Sequence, residues 1–198
     1  MKKIILVLVF LIGLTGCASS SKVHYTLQEF YEEFANDSID NFTFDFKEYS
    51  NGTIKDKYSI KTEGDKYYQT RFDEELYYYF NGVSHAKYTF DKGEWLFSLV
   101  YGFNDFLPST LLKEVIPSDI EVDDFYDSNG TWMYQVNSSN TFYESTITYT
   151  INISIESIVI EVNEEKVTTS GEVTTVKLRD AKIYNIGKTS VTLPEIEV

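Results

Sequence analysis

Turn signals that recur at short intervals limit what this chain can fold into more than any other feature. Each is a short segment rich in Asn, Asp and Gly, the residues that favour the tight turns of β-hairpins. As far as Gly93 the runs between them are too short to include a crossover helix, so neighbouring strands there must be antiparallel. The segments are Asn51-Gly52, Glu63-Gly64-Asp65, Asn81-Gly82, Asp91-Lys92-Gly93, Asn129-Gly130 and Ser170-Gly171.

The runs between these turns have the composition and the period of strands. They are rich in Tyr, Phe, Ile, Val and Thr, and apolar side chains alternate with polar ones, as at Phe42, Phe44 and Phe46. A period of two is typical of a strand with one buried face. We predict strands over 58–62, 67–72, 76–80, 85–90 and 95–99, and a second group from 132–136 through the alternation of 147–155 as far as Ile186.

One amphipathic helix precedes the strands. Thr26 and Glu29 have the spacing of a capping box, in which each side chain binds the backbone N–H of the other residue. Apolar side chains then recur at intervals of three and four, which predicts a helix over 26–36 that ends at Asn36-Asp37-Ser38. Its apolar face comprises Leu27, Phe30, Tyr31 and Phe34.

A second helical segment interrupts the strands at 101–117. Pro108-Ser109 is typical of a helix start and Pro117 of a helix end, so we predict one or two short helices here. A helix that is apolar over much of its surface must be covered over much of its surface. The apolar side chains, which we call the insertion residues, are Phe103, Phe106, Leu107, Leu111, Leu112, Val115 and Ile116.

The N-terminus has the order of an export signal. Met1-Lys2-Lys3 is positively charged, and the apolar run that follows ends at Leu14. A helix needs about 20 apolar residues to cross a bilayer, so this run is too short to be a membrane span.

The only cysteine of the chain follows this run directly. Leu14-Thr15-Gly16-Cys17 resembles a bacterial lipobox, in which small residues admit a peptidase and the thiol receives a diacylglyceryl group. The resemblance implies a signal peptide over 1–16, lipidated Cys17 and a flexible tether over 17–23, and one domain over 24–198. The protein would then be lipid-anchored at the extracytoplasmic face of the cell membrane. The alternatives are a signal peptide cut elsewhere, or a core helix whose cysteine is incidental.

Length and charge narrow the class of partner. A chain of 198 residues suits one compact domain. Its formal net charge is -14, and loss of the two lysines in the signal makes it -16. Because nucleic-acid phosphates require a basic face, we expect no nucleic-acid partner. Since there is no second cysteine, the exported domain has no internal disulfide to support it.

The residue types of common catalytic and metal sites are scarce. His24 and His85 are the only histidines, and the sequence contains no nucleophile elbow, no paired-histidine zinc motif and no phosphate loop. We therefore predict no enzymatic activity, no metal and no cofactor. A serine or a pair of carboxylates needs no fixed spacing, so a catalyst of that kind is left open.

The acidic stretch from Asp119 to Gly130 has two interpretations. Its carboxylates and turn could hold a calcium ion, which takes oxygen ligands from flexible loops. However, Asp119, Glu121 and Asp123 alternate with apolar residues as in a strand with one wet face, and 127–130 matches an ordinary turn. The spacing also differs from that of an EF-hand loop, so we favour the strand and turn.

Three stretches of the sequence carry a family resemblance. They are the helix over 26–36 with the Phe42 strand, the segment 77–82 with the helix over 106–116, and the ending 181–194. Together they resemble the lipoprotein-carrier group of LolA, LolB and LppX over nearly all of the mature chain. The resemblance implies a mainly β (α+β) fold: a single curved antiparallel sheet, or half-barrel, with the N-terminal helix and the apolar helical insertion on its concave face. The group has no short catalytic or ligand signature to transfer.

These observations lead to two expected functions. The first is a non-enzymatic lipoprotein that binds a lipid or other hydrophobic ligand between sheet and helices, in a cavity lined by the insertion residues. The second is a surface interaction or envelope-structural lipoprotein whose core is filled and holds no ligand. The 16 Tyr and 14 Phe residues fit both functions, because aromatic side chains form strands well and can also line a cavity.

Overall fold

The computed structural model describes residues 25–72, 74–80, 84–100 and 106–195. The predicted signal peptide, Cys17, the tether, Asn81-Gly82 and Phe103 lie outside these residues. The described helices are the α-helices α1 (Leu27–Ala35) and α2 (Pro108–Val115) and a 3-10 helix over Val122–Asp124. The strands are β1 (Asn41–Ser50), β2 (Thr53–Glu63), β3 (Lys66–Arg71), β4 (Glu74–Phe80), β5 (His85–Asp91), β6 (Glu94–Val100), β7 (Tyr126–Ser128), β8 (Thr131–Ser139), β9 (Tyr143–Ile153), β10 (Ser157–Thr168) and β11 (Val173–Tyr184).

The described strands form one antiparallel sheet. Their order is β6-β5-β4-β3-β2-β1-β11-β10-β9-β8-β7, so the sheet is open, with β6 at one edge and β7 at the other. The strands predicted over 58–62, 67–72, 76–80, 85–90 and 95–99 are all present. The prediction of a mainly β fold with a single antiparallel sheet is therefore confirmed.

The first and last strands join the two groups of strands at the centre of the sheet. β1 pairs with β11, which places Phe44 opposite Ile183 and Phe46 opposite Ala181. All four side chains are buried. These buried hydrophobic contacts between β1 and β11 thus hold the two groups of strands together.

Left-handed backbone conformations occur at the described turns. Asn51 and Gly52 have φ angles of 51° and 75°, and Lys92 and Gly93 have φ angles of 51° and 93°. Two consecutive residues with positive φ form a type I′ turn, whose twist matches that of a two-residue hairpin. The turns predicted at these positions are confirmed.

The predicted first helix is present with both halves of its capping box. The Thr26 hydroxyl accepts the backbone N–H of Glu29 at 3.2 Å, and the Glu29 carboxylate accepts the N–H of Thr26 at 2.9 Å. Phe30 and Phe34 are fully buried, and the Phe34 ring lies 5.5 Å from that of Phe42 on β1. The apolar face predicted from the spacing therefore contacts the sheet.

The predicted helical segment 101–117 contains one helix within its described part. α2 begins at Pro108, as the sequence predicts, and contacts both α1 and β11. None of the described helices is long and apolar enough to cross a bilayer.

The two faces of the sheet are covered by different parts of the chain. Phe42, Phe44 and Phe46 belong to the buried cluster that includes residues of both α-helices, and we call their side the core face. The opposite side, the reverse face, is crossed near β1 by the segment that follows β11. There the Thr43 hydroxyl lies 3.1 Å from that of Thr189, and Thr43 is buried.

Candidate functional site

Most of the insertion residues are buried. Leu111 is 2% exposed and Val115 is 0% exposed, and Phe106, Leu112 and Ile116 are also buried. Leu107 is partly buried at the start of α2. Phe103 lies outside the described residues.

The buried insertion residues pack into the main hydrophobic core. The Phe106 ring lies 5.5 Å from Tyr67 and 5.2 Å from Tyr78, on the core face of β3 and β4. Leu111, Leu112, Val115 and Ile116 belong to the same cluster as Phe30 and Phe34 of α1. The structure thus brings the insertion, α1 and the core face together.

Three clefts in the described residues lie away from α2. One of about 480 Å³ lies beside Tyr25, at the ends of β9, β10 and β11. A second of about 390 Å³ lies on the reverse face between Lys57 and Val159, and a third of about 580 Å³ lies at the ends of β4, β5 and β6. None of the three is lined by a residue of α2.

The acidic stretch forms a turn where the sequence predicts a strand. Val122–Asp124 is a short 3-10 helix, in which the Asp124 carboxylate accepts the N–H of Glu121 at 2.8 Å. The predicted strand over Asp119, Glu121 and Asp123 is wrong, because this reciprocal cap favours helical backbone over an extended one. The turn is present, and Asp127 accepts the N–H of Gly130 at 2.8 Å. No group of three or more potential metal ligands occurs in the described part of the chain.

His85 lies on the core face among aromatic rings. Its ring is 5.7 Å from that of Tyr67 and 4.9 Å from that of Phe80. Burial lowers the pKa of His85, while the Asp65 carboxylate acts in the opposite direction. His85 is thus a partly buried histidine that packs against aromatic rings of β3 and β4. His24 lies outside the described residues.

A second apolar region lies on the reverse face of β3 to β6. Strand pairing places Tyr68 opposite Tyr77, Tyr77 opposite Tyr88, and Tyr88 opposite Phe97. Directly paired residues lie on the same side of a sheet, so these four rings form one row across four strands. Adjacent positions enlarge the row to a set that we call the aromatic surface: Tyr68, Tyr77, Tyr79, Tyr88, Phe90, Trp95, Phe97 and Leu99.

Contacts between rings order this surface, and much of it faces solvent. The centroids of Tyr68 and Tyr77 are 4.7 Å apart, and Trp95 lies 5.3 Å from Tyr77 and 5.2 Å from Phe90. Phe97 is nevertheless 57% exposed and Phe90 is 55% exposed. Large contiguous apolar patches on soluble domains mark binding surfaces more often than not. The aromatic surface is thus the main candidate site in the described residues.

The aromatic surface carries little charge. Residues 66–100 contain four basic and five acidic side chains, a net charge of -1, whereas the whole chain carries -14. Burial, together with the nearby Glu75 carboxylate, raises the pKa of Tyr68 to about 12, and burial also raises the pKa of Tyr77. These phenols are therefore neutral at physiological pH. A partner therefore meets a surface of low net charge on an otherwise acidic protein.

The period of two in the sequence predicts that each of the strands β3 to β5 has one buried face. The structure places Tyr67 and Tyr78 on the core face, where Tyr78 is buried, and it places Tyr68, Tyr77 and Tyr79 on the reverse face. The signal for a second apolar face was present in the sequence. Aromatic residues occupy both phases of the alternation in these strands, and a strand with one wet face needs them in only one phase.

Comparison with known protein families and with curated proteins finds no match. The resemblance to the lipoprotein-carrier group therefore depends on the sequence pattern alone.

Proposed function

We propose that this chain is a non-enzymatic lipoprotein, anchored to the extracytoplasmic face of the cell membrane, that acts as an interaction protein through its aromatic surface. One contrast carries the proposal. Five of the insertion residues, which a ligand cavity would need, are buried in one cluster with α1, whereas large side chains on the reverse face of β4 to β6 are exposed.

The membrane anchor is supported by the N-terminal sequence. A positively charged start, an apolar run and a solitary cysteine after Leu14-Thr15-Gly16 form the pattern of a lipidated export signal. Residues 18–24 then connect Cys17 to Tyr25, the first described residue. Eight steps of at most about 3.6 Å hold Tyr25 within about 29 Å of the anchor.

The filled core is supported by the surroundings of α2. A carrier without its ligand would leave apolar side chains beside a void, and such a void forfeits the contacts that packed side chains make. Leu111 and Val115 instead contribute to one continuous cluster with α1 and the sheet. This favours the interaction function over the ligand-carrying one.

A second candidate function is the binding of a lipid or other hydrophobic ligand on a half-barrel whose helices cover the concave face. Two observations favour it. The sheet is open, and apolar side chains of the core face remain uncovered, since Leu96 is 50% exposed and Val136 is 39% exposed. A ligand would then lie beside these residues rather than under α2.

Enlarging the core separates the two functions. We would make Leu111→Trp and Leu112→Trp in the full-length chain in detergent, with Ile155→Trp as the control at a position that is 72% exposed. If the core is filled, both core variants lose about 1–3 kcal/mol of stability, and the control does not. Native mass spectrometry of the wild-type chain then shows no lipid beyond the one attached to Cys17. A lipid that the wild-type chain carries, and that Leu96→Trp or Val136→Trp displaces without a change in thermal midpoint, would instead establish the ligand carrier.

A further inference from the structure

The strand β6 is one edge of the sheet that the described residues form. Within the described residues, β5 pairs with one side of Glu94–Val100 and no strand lies along the other side. Soluble proteins usually protect such an edge with proline, a bulge or central charges. β6 has neither proline nor a bulge, and its only charge is Glu94 at its first position. An edge of this kind is a template for another strand.

The turn before β6 determines which backbone groups point outward. Lys92 and Gly93 form a two-residue type I′ turn, so Asp91 and Glu94 make the first hydrogen-bonded pair of the hairpin. Hydrogen-bonded and non-hydrogen-bonded pairs then alternate along the strands. The N–H and C=O groups of Trp95, Phe97 and Leu99 consequently point away from β5. They form a regular set of donors and acceptors on the free edge.

The side chains of β6 are symmetric about Phe97. Trp95, Phe97 and Leu99 are all on the reverse face, and each is large and apolar. If two β6 strands pair in antiparallel register around a two-fold axis at Phe97, Trp95 of one copy faces Leu99 of the other. Phe97 then faces its own equivalent. An isologous contact requires this self-complementarity.

Charge permits two copies to meet at this edge. The chain as a whole is strongly acidic, so most of its surface repels a second copy. Residues 66–100 carry a net charge of only -1. In the symmetric register Glu94 faces Val100, so no two like charges stand opposite each other. Like charges placed directly across a strand pair would be destabilising.

We propose that β6 pairs with β6 of a second copy, in antiparallel register centred on Phe97, and joins two sheets into one. This rests on the proposed function in that it assigns a partner to the aromatic surface. The row Tyr68, Tyr77, Tyr88 and Phe97 then continues into the row of the partner copy. Six backbone hydrogen bonds form, two for each of the three outward-facing pairs.

The buried area predicts a weak contact that the membrane strengthens. A large side chain offers about 150–250 Å². Phe97 and Leu99 are about half exposed and Trp95 is partly buried, so each copy buries on the order of 200–300 Å² of side chain. A standard interface buries about 800 Å² per partner. The dimer should therefore dissociate when dilute. Confinement of both copies to one membrane raises their effective concentration and favours pairing.

Cysteine cross-linking in membranes tests the pairing. In an antiparallel hydrogen-bonded pair the two Cα atoms are about 5.5 Å apart, a separation that a disulfide spans. We would express full-length Phe97→Cys, isolate membranes and oxidise them mildly with copper phenanthroline. Ser98→Cys is the control on the same strand, because its side chain faces Leu96 of the partner copy. Phe142→Cys, at a turn residue that is 75% exposed, reports random collision.

We expect Phe97→Cys to form the disulfide dimer about tenfold faster than either control, in line with a local concentration far above that of random encounters. Mixed Trp95→Cys and Leu99→Cys chains should cross-link to each other faster than to themselves. Equal rates for Phe97→Cys, Ser98→Cys and Phe142→Cys would overturn the pairing. The proposed membrane anchor at Cys17 is tested separately from the β6 contact. If wild-type chains cross-link through Cys17 or leave the membrane fraction, the anchor is wrong, and the same comparison in a Cys17→Ser background still tests the β6 contact.

Discussion

The carboxylate of Asp37 caps a helix that begins about seventy residues later in the chain. One oxygen of Asp37 accepts the backbone N–H of Ser109 at 2.8 Å, and the other accepts the Ser109 hydroxyl at 3.1 Å. The N-cap residue of α2 is Leu107, whose side chain has no acceptor to offer. Asp37 follows α1 directly and has a left-handed φ of 52°. The end of α1 therefore supplies the cap that α2 lacks.

Replacing Asp37 should destabilise the packing of α2. We expect Asp37→Ala to cost about 1 kcal/mol of unfolding free energy, the usual cost of losing an N-cap acceptor. Asp37→Asn keeps an acceptor and should cost less. Ser109→Ala removes the hydroxyl bond alone and serves as the intermediate case. Urea unfolding followed by near-ultraviolet circular dichroism measures all three, and equal stability of Asp37→Ala and wild type would refute the capping role.

Local patterns predicted the elements of the fold, and long-range contacts could not be predicted from them. The capping box at Thr26 and the turns at Asn51 and Lys92 are decided by residues within a few positions of each other. The Asp37 to Ser109 cap and the pairing of Phe44 with Ile183 join residues far apart in sequence. No periodicity carries that information. The wrong prediction of a strand over 119–123 has a local cause. Acidic and apolar residues alternate there, but the cap at Asp124 favours helical backbone.

A second long-range contact fixes the C-terminal segment to the reverse face. The Asn41 side chain donates to the carbonyl of Thr189 at 3.0 Å and accepts the N–H of Thr189 at 2.7 Å. Asn41→Ala leaves both backbone groups without these bonds in a partly buried place. We expect a loss of about 1–3 kcal/mol. Asn137→Ala, at an exposed position of β8, is the control, and hydrogen exchange at Thr189 should rise in Asn41→Ala alone.

The partly buried position of His85 predicts a loss of stability in mild acid. Burial lowers the pKa of His85 in the folded chain below its ordinary value of 6.5. As the pH falls below about 6.5, the unfolded chain therefore binds this proton before the folded chain does, and stability decreases. The decrease ends below the folded pKa, where both states are protonated.

Thermal midpoints at about pH 7.5 and pH 5.5 test this linkage, because the two values bracket the ordinary histidine pKa. His85→Gln should reduce the drop in midpoint between them. His24→Gln removes the other histidine, which lies beside the predicted tether, and should leave the drop as in wild type. If both variants behave like wild type, acidic groups alone cause the pH dependence.

The candidate site was only partly accessible to sequence reasoning. The sequence predicts that the insertion residues are covered. It does not show whether a ligand or the rest of the core covers them. Leu111 and Val115 are covered by the core cluster. In each strand, alternate residues face α1 and α2, and the others face the opposite side of the sheet. The register between strands decides which residues form the aromatic surface on that opposite side. A shift of one residue would exchange Tyr77 and Tyr78 between the two faces.

The last prediction concerns the anchor at Cys17. A diacylglyceryl group buries two acyl chains at about 0.8 kcal/mol per methylene, enough for stable attachment where one chain gives only marginal binding. Cys17→Ser should therefore abolish incorporation of labelled fatty acid and move the chain from the membrane fraction to the medium, or leave an unprocessed precursor. The double variant Cys17→Ser with Ser19→Cys keeps a thiol two positions away. It tests whether lipid attachment depends on the position of the thiol or only on its presence. We expect it to incorporate no label, because Gly16 rather than a leucine then lies three positions before the thiol, and the pattern Leu14-Thr15-Gly16-Cys17 is lost. Undiminished labelling of Cys17→Ser would show that the lipid is attached elsewhere and that the lipobox interpretation is wrong.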